Sequence, residues 1–201
     1  MTAELTTTAN YLDVLQQAVV AYRSGKRDRP DPATVVAALL QAEKAAKQQR
    51  STYPLESLLG QWRLCFTTGT RKLRRNSGIV LGKGFYLPRF SPAQIKFEQT
   101  AIASLLAASN QIQLGSFKLK FTGPAKYLGK KNLLAFDFTQ VQFELGERSL
   151  FTADFRGGKA KVAAFEQIAI AKLPFFAFFL VTEEFIAARG RGGGLALWIQ
   201  E

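Results

Sequence analysis

Two periodicities divide this chain. Between residues 10 and 48 apolar side chains return at spacings of three and four, and from Leu59 onward they alternate with polar ones. The first pattern predicts two helices joined by a charged turn. Tyr11, Leu12, Leu15, Ala18, Val19 and Tyr22 form one apolar stripe, with Asn10 placed to cap it. In the second helix Asp31 caps, Pro32 takes the first helical position, where a missing N–H costs nothing, and Val35, Val36, Leu39 and Leu40 form the buried face. The helical signal ends past Ser51.

The second pattern predicts strands. From Gly60 to Thr67, Trp62, Leu64 and Phe66 share one face and Arg63, Cys65 and Thr67 the other. Phe117-Lys118-Leu119-Lys120-Phe121 alternates without exception. Leu134, Phe136 and Phe138 share a face, and Val141, Phe143 and Leu145 continue on the opposite parity, so a bulge is expected near Thr139 where the strand turns a corner. Further strands are expected from Phe151 to Phe155, Phe175 to Val181, Glu184 to Ala188 and Leu195 to Gln200. Short strands in series without intervening helices read as an antiparallel barrel or sandwich. The expected architecture is mainly β: a helical segment over residues 1–55 packed on an antiparallel barrel over residues 56–201, in one domain. Because nearly every strand carries Phe on one face, the barrel is either filled or lined by aromatic rings.

Composition narrows the chemistry. With 47% hydrophobic residues and 17 Phe among 201, the chain must fold around a core. It contains no histidine, which removes Ser-His-Asp and Cys-His mechanisms, His-ligated zinc and a histidine base. Its one cysteine, Cys65, can form neither an intramolecular disulfide nor a cysteine cluster, and parity turns it toward the helices or solvent as a structural thiol. The most apolar run, Leu173 to Val181, falls well short of the ~18 residues of a membrane-spanning helix and reads as a buried strand. The amino terminus, MTAELTTTAN, lacks the basic and apolar regions of a signal or transit peptide, so the protein is expected to stay where it is made or to have lost a leader.

The formal charge of +12 is unevenly distributed. Residues 1–70 carry 8 basic and 6 acidic side chains, residues 132–201 carry 7 and 8, and residues 71–131 carry 12 and 1. The dense pieces are Arg71, Lys72, Arg74 and Arg75, then Lys118 and Lys120 on one strand, then Lys126, Lys130 and Lys131 in the following turn. These are expected to form a basic strip facing an anionic lipid surface, or else a solvated face that keeps a Phe-rich protein in solution. Nucleic acid fits less well, since no helix carries the cluster and no RNA-recognition signature is present.

Few constellations could carry chemistry. Gly190-Arg191-Gly192-Gly193-Gly194 and the run from Gly78 to Gly84 lack the Gly-Lys-Ser/Thr of a phosphate loop and read as turns. Asp137 and Asp154, on neighbouring strands, could form an acid pair. Gly60-x-Trp62 at the head of the first strand resembles the opening signature of lipocalin-like barrels, where Trp plugs one end and a late arginine, here Arg189, can lie over it in a cation–π contact.

Two segments extend that resemblance. Ser57-Leu58-Leu59-Gly60-Gln61-Trp62-Arg63-Leu64-Cys65-Phe66-Thr67-Thr68 looks like the L-x-G-x-W-x-L-x-(Y/F)-T-(T/S) motif of the plastid lipid-associated proteins, or fibrillins. Thr182-Glu183-Glu184-Phe185-Ile186-Ala187-Ala188-Arg189-Gly190 is similar to that family's carboxyl-terminal Y-L-D-x-x-L-R-I-x-R-G, with Glu183 or Glu184 in place of Asp and Ile186 in place of the first Arg. Together with the helix pair, the resemblance runs from Tyr11 to Ile199 and points to a cyanobacterial member. It implies a lipocalin-like (calycin-type) barrel and a non-enzymatic role binding lipids, isoprenoid quinones or carotenoids at the cytoplasmic side of a thylakoid membrane or at lipid globules. The expected ligand cavity comprises Trp62, Phe66, Phe117, Phe121, Phe136, Phe138 and Arg189, with no catalytic residue, metal or cofactor. The rival expectations are a calycin-type chromophore lyase acting on phycobiliproteins, assisted by Asp or Glu, and a scaffold binding an acidic protein.

Overall fold

The helix pair is longer than its apolar stripe. In the computed structural model, which describes residues 2–25, 28–72, 79–100, 106–155 and 157–201, α1 spans Thr2–Ser24 and α2 Pro32–Gln49. Asn10 thus lies inside α1 and is not its cap: residues 2–9 hold no Gly or Pro, and nothing stops the helix from running back to Thr2. Asp31 does cap α2, accepting from the N–H groups of Ala33 at 2.9 Å and Thr34 at 3.1 Å. Leu15, Ala18, Val19 and Tyr22 of α1 pack with Val35, Ala38, Leu39 and Ala42 of α2 in one buried cluster.

The strands follow as β1 (Gly60–Thr67), β2 (Thr70–Lys72), β3 (Ile79–Leu81), β4 (Phe85–Tyr86), β5 (Ala93–Gln99), β6 (Leu106–Leu114), β7 (Phe117–Leu128), β8 (Leu133–Phe136), β9 (Gln140–Leu145), β10 (Arg148–Asp154), β11 (Phe175–Val181), β12 (Phe185–Gly190) and β13 (Leu195–Gln200). A short helix, α3 (Gly158–Ala164), lies between β10 and β11. The order β7-β6-β5-β1-β13-β12-β11-β8 returns to β7 through antiparallel pairings, closing an eight-stranded barrel. β5 and β6 are strands beyond those expected, although Ala93, Ile95 and Phe97 alternate with Gln94, Lys96 and Glu98. Their alternation is diluted by small and polar residues on the buried side, Ala108 and Asn110 among them.

The bulge expected near Thr139 is where the molecule divides. Ala125 pairs with Phe136, but Thr122 pairs with Gln140, so two residues of β7 face three on the opposing chain. β8 stays in the barrel beside β11, whereas β9 leaves with the first half of β7 and takes β10 as its outer neighbour. Gly123 permits the close approach at the corner, because a Cβ there would overlap the carbonyl oxygen of Asp137. The buried Asp137 carboxylate pairs with Lys161 Nζ of α3 at 2.7 Å. Its partner is thus a lysine, and Asp154 is exposed at the end of β10.

Among the described residues, three apolar clusters hold the fold. Trp62, Ile95, Phe97, Leu134, Phe136, Phe178, Ile186 and Trp198 fill the barrel interior. The outer faces of β1, β12 and β13 bury Cys65, Phe185, Ala187, Leu195, Leu197 and Ile199 against the helix pair. The segment after β10 covers β8 and β11 through Phe165 and Leu173. A second bulge changes the parity of β1. Leu64 pairs with the interior Trp198, but Phe66 pairs with the outward Leu197, so Cys65 and Phe66 both face the helices. Burial in that apolar layer pushes the Cys65 thiol pKa up, which makes it a structural group.

Candidate apolar-ligand site

The register of β6, β7, β9 and β10 builds the site. Residues paired across antiparallel strands point to the same side, so Ala108 and Leu106, buried in the barrel interior, fix which face of β6 is inward. Following that face outward, three rows cross the sheet: Asn110-Phe121-Val141-Ala153, then Ile112-Leu119-Phe143-Phe151, then Leu114-Phe117-Leu145-Arg148. The inner face of the barrel thus continues, beyond the bulge, as the apolar face of a four-stranded flap. The opposite face is polar: Gln111, Lys120, Gln142 and Thr152 form one row, and Gln113, Lys118, Glu144 and Ser149 the next.

Exposure separates the two halves of this one surface. Phe136 in the barrel is 7% exposed, while Leu114, Phe117 and Phe151 on the flap are 59, 51 and 58% exposed. Aromatic contacts lead from the barrel interior to the inner row of the flap. From Trp198 the chain runs to Phe176 (5.1 Å between centroids), Phe136 (5.3 Å), Phe138 (5.0 Å), Phe121 (5.9 Å) and Phe155 (5.4 Å). Nearer the tip, Phe117 stacks on Phe143 at 5.8 Å and 18°. Where the flap leaves the barrel mouth, Leu64, Ile95, Asn110, Phe176, Ala196 and Trp198 bound a cleft of about 160 Å³. A larger hollow of about 590 Å³ lies at the other end of the barrel, but Glu56 and Glu183 line it, which disfavours an apolar occupant.

Of the expected cavity residues, Phe121, Phe136 and Phe138 meet along this aromatic chain, and Phe117 lies on the same face nearer the tip. Trp62 is interior but belongs to the packing of the opposite end, where its Nε1–H donates to Leu58 O at 2.9 Å. Phe66 is outside the cavity, edge-on to Tyr86 at 5.1 Å beneath the helix pair, because the β1 bulge reverses its side. Arg189 is also outside. Its side chain leaves the outer face of β12, and its Nε and Nη2 donate to the two carboxylate oxygens of Glu43 on α2, at 2.8 and 2.5 Å. That pairing, not a cation–π contact with Trp62, holds Arg189, and the guanidinium's hydrogen bonds keep the Glu43 carboxyl below its ordinary pKa.

The basic strip is not one surface. Lys118 and Lys120 lie on the polar face of the flap, Lys118 paired with Glu144 at 3.1 Å. Lys126 is held by the covering segment: its Nζ donates to the carbonyls of Phe165, Glu166 and Ile168 at 3.1, 3.2 and 2.8 Å and sits 4.9 Å from the Phe165 ring. Lys130 and Lys131 are exposed in the β7–β8 turn, beyond the far end of a twelve-residue strand whose length from Lys118 onward is roughly 30 Å at the ordinary rise of a strand. Arg71 and Lys72 lie on β2, paired with Val80 and Ile79, whereas Arg74 and Arg75 fall outside the described residues. Proximity in sequence misled here, because a long strand carries its two ends to opposite ends of the barrel.

No protein-family model and no curated protein matches the chain. Among solved structures it is similar to a crystal structure of a protein of unknown function from the DUF3598 family of Nostoc punctiforme, at 14% identity and a TM-score of 0.32, over 75% of this chain and 50% of that one. The chain therefore spans about half the length of that neighbour.

Proposed function

We propose that this protein is a non-enzymatic, lipid-associated barrel that holds an elongated apolar molecule, an isoprenoid or acyl chain, against the aromatic surface where the flap leaves the barrel mouth. One observation carries the reading: the inward face is packed by the protein's own rings in the barrel and left uncovered on the flap, as the contrast of Phe136 with Phe117 and Phe151 records. Flat or rod-like apolar molecules complement such a surface by stacking and area burial, with little need for polar recognition. This is also the role that the resemblance of the Gly60–Trp62 and Arg189–Gly190 segments to the fibrillins implies.

Trp198 borders the mouth cleft and reports on it. Native mass spectrometry with lipid extraction of the purified protein, followed by titration with a short-tailed isoprenoid quinone, tests the reading. The expected result is a co-purified or added apolar ligand at one per chain and saturable quenching of tryptophan emission, weakened by Phe121→Ala. Absence of any bound apolar molecule together with unchanged emission sinks it.

A further inference from the structure

The two tryptophans of the barrel interior differ in what their indole N–H groups meet. Trp62 donates to Leu58 O at 2.9 Å, as a buried indole ordinarily finds an acceptor. Trp198, 4% exposed and set against Phe176 and Phe178, has no acceptor among the described residues. Its Nε1–H is not sealed in either, because the fully buried side-chain atoms without a partner there are the Tyr22 hydroxyl and Arg63 Nε. The N–H therefore keeps an accessible side, and the hollow that Trp198 borders is the mouth cleft.

A carboxamide lines the same cleft. Asn110 pairs with Ile95 and Phe121 on the inward face, so its side chain turns inward with theirs. It too has no partner among the described residues. Its neighbours on that face of β6 are Ala108 and Ile112, and the row through it runs Trp62-Ile95-Asn110-Phe121-Val141. An unpaired carboxamide in an apolar row costs stability. The other polar residues of the cleft are engaged elsewhere: Thr67 donates its hydroxyl proton to Leu195 O at 3.1 Å, and the Gln94 amide meets Gln111 and Glu201.

The cleft thus offers two free N–H donors, Asn110 Nδ2 and Trp198 Nε1, and no charged residue among the described ones lines it. A carboxylate or phosphate would leave water there without a cation to offset its desolvation. A plain hydrocarbon would leave both donors unpaired. A neutral carbonyl oxygen, which accepts through two lone pairs, avoids both penalties. At about 160 Å³ the cleft matches the apolar cavity of roughly 150 Å³ that takes one benzene ring. Resting on the reading of the mouth as an apolar-ligand site, we infer that Asn110 and Trp198 select the ligand's head: a neutral, ring-sized group bearing a carbonyl oxygen, in preference to a fatty acid or a hydrocarbon. Leu64, Ile95 and Phe176 wall the ring, and they favour any flat apolar molecule. The two N–H groups decide which one.

Calorimetric titration with three ring compounds of similar shape tests the assignment: duroquinone, durene, which lacks its two oxygens, and durene carrying one carboxylate. Affinities are scaled by each compound's partition between water and hexane. The parent is expected to favour duroquinone over durene by at least about tenfold, and to bind the carboxylate more weakly than duroquinone. Asn110→Leu is expected to lose about five- to tenfold of that preference, with a urea midpoint no lower than the parent's, since it removes an unpaired amide from an apolar row. Trp198→Phe should lose a similar part, and Phe121→Ala should weaken duroquinone and durene alike. The infrared carbonyl band of bound duroquinone is expected to lie below its position in hexane and to move back toward it in Asn110→Leu. Equal scaled affinity for duroquinone and durene, a carboxylate bound as tightly as duroquinone, or a preference and a carbonyl band that Asn110→Leu leaves unchanged would overturn the assignment. If duroquinone and durene saturate the protein equally, only the choice of head group falls; if none of the three binds and no apolar molecule co-purifies, the apolar-ligand reading falls with it.

Discussion

Phe136 and Phe117 lie on one continuous face of one sheet, and they answer to different forces. Around Phe136 the barrel closes, and Phe176, Phe138 and the neighbouring strands remove it from water. Around Phe117 the sheet has parted from the barrel at the Gly123–Asp137 corner, and half the ring remains in solvent beside Phe143. The alternation that writes a strand specifies which side is apolar but not whether anything covers it. Cover is a property of closure, and here closure is decided by one extra residue opposite Gly123.

The comparison is broken most directly by truncating each side. Phe136→Ala is expected to destabilise the protein by about 3–5 kcal/mol, as for large-to-small changes in packed cores. Phe66→Ala, beneath the helix pair, belongs to the same class and is expected to leave quinone quenching intact at temperatures where the variant is folded. Phe117→Ala is expected to cost about 1 kcal/mol, since half the ring is already in solvent and the main loss is its stack on Phe143. Urea unfolding of the three variants measures this, and a loss at Phe117 matching that at Phe136 would make the flap part of the core.

Next in size is the tie between helix pair and barrel. Glu43 is buried, and its carboxyl pKa is lowered chiefly by the hydrogen bonds from Arg189, with Lys47 adding a second cation at 3.1 Å. A carboxyl whose pKa is lowered by folding stabilises the native state above its unfolded pKa, and that contribution is lost as pH falls through the native value. Arg189→Ala is therefore expected to cost about 2–3 kcal/mol at pH 7, below the full effect of a buried pair because the guanidinium is partly solvated. The difference from the parent should shrink at pH values below the ordinary carboxylate range. Urea midpoints at neutral and acid pH decide it: a pH-independent difference would mean that Arg189 acts through packing of its aliphatic stem instead.

How much of this could be read from residues alone depends on the range of the interaction. The Asp31 cap, the helix stripes, the bulge near Thr139 and the barrel were legible because each is a local pattern repeated or interrupted within a few positions. Phe66 was misplaced because the bulge in β1 has no local mark: the run Leu64-Cys65-Phe66 alternates less cleanly than it reads, and only the partner Leu197 shows the switch. Arg189 was assigned to Trp62 on the same strand system, while its true partner, Glu43, lies 146 positions away on a helix. Lys126 looks like its neighbours Lys130 and Lys131 in sequence, yet the carbonyls that hold it come from a segment some 40 positions later.

That last contrast sets the next expectation. Lys126→Met removes the charge that three carbonyl oxygens share, and is expected to cost about 1–3 kcal/mol through the acceptors it leaves unpaired. Hydrogen exchange at residues 165–168 should speed up in the variant. Protection there that does not change would show that the apolar contacts of Phe165 and Leu173 hold the segment without the lysine.

The smallest effect tests whether the polar side of the flap carries any of its stability. Lys118 and Glu144 face each other across β7 and β9 at 3.1 Å, with side chains 28 and 17% exposed. A directly opposed pair on a two-sided sheet holds register by Coulomb attraction, but water competes for both charges and salt screens them. A double-mutant cycle through Lys118→Ala and Glu144→Ala is expected to return a coupling of about 0.2–1 kcal/mol, falling in 0.5 M salt. Coupling above that range would mean that the polar face, and not the bulge at Gly123, holds the flap in its place. In that case Gly123→Ala should leave the flap formed, whereas control by the corner predicts that the same substitution, whose Cβ overlaps the Asp137 carbonyl, detaches β9 from β7 while the barrel strands remain protected.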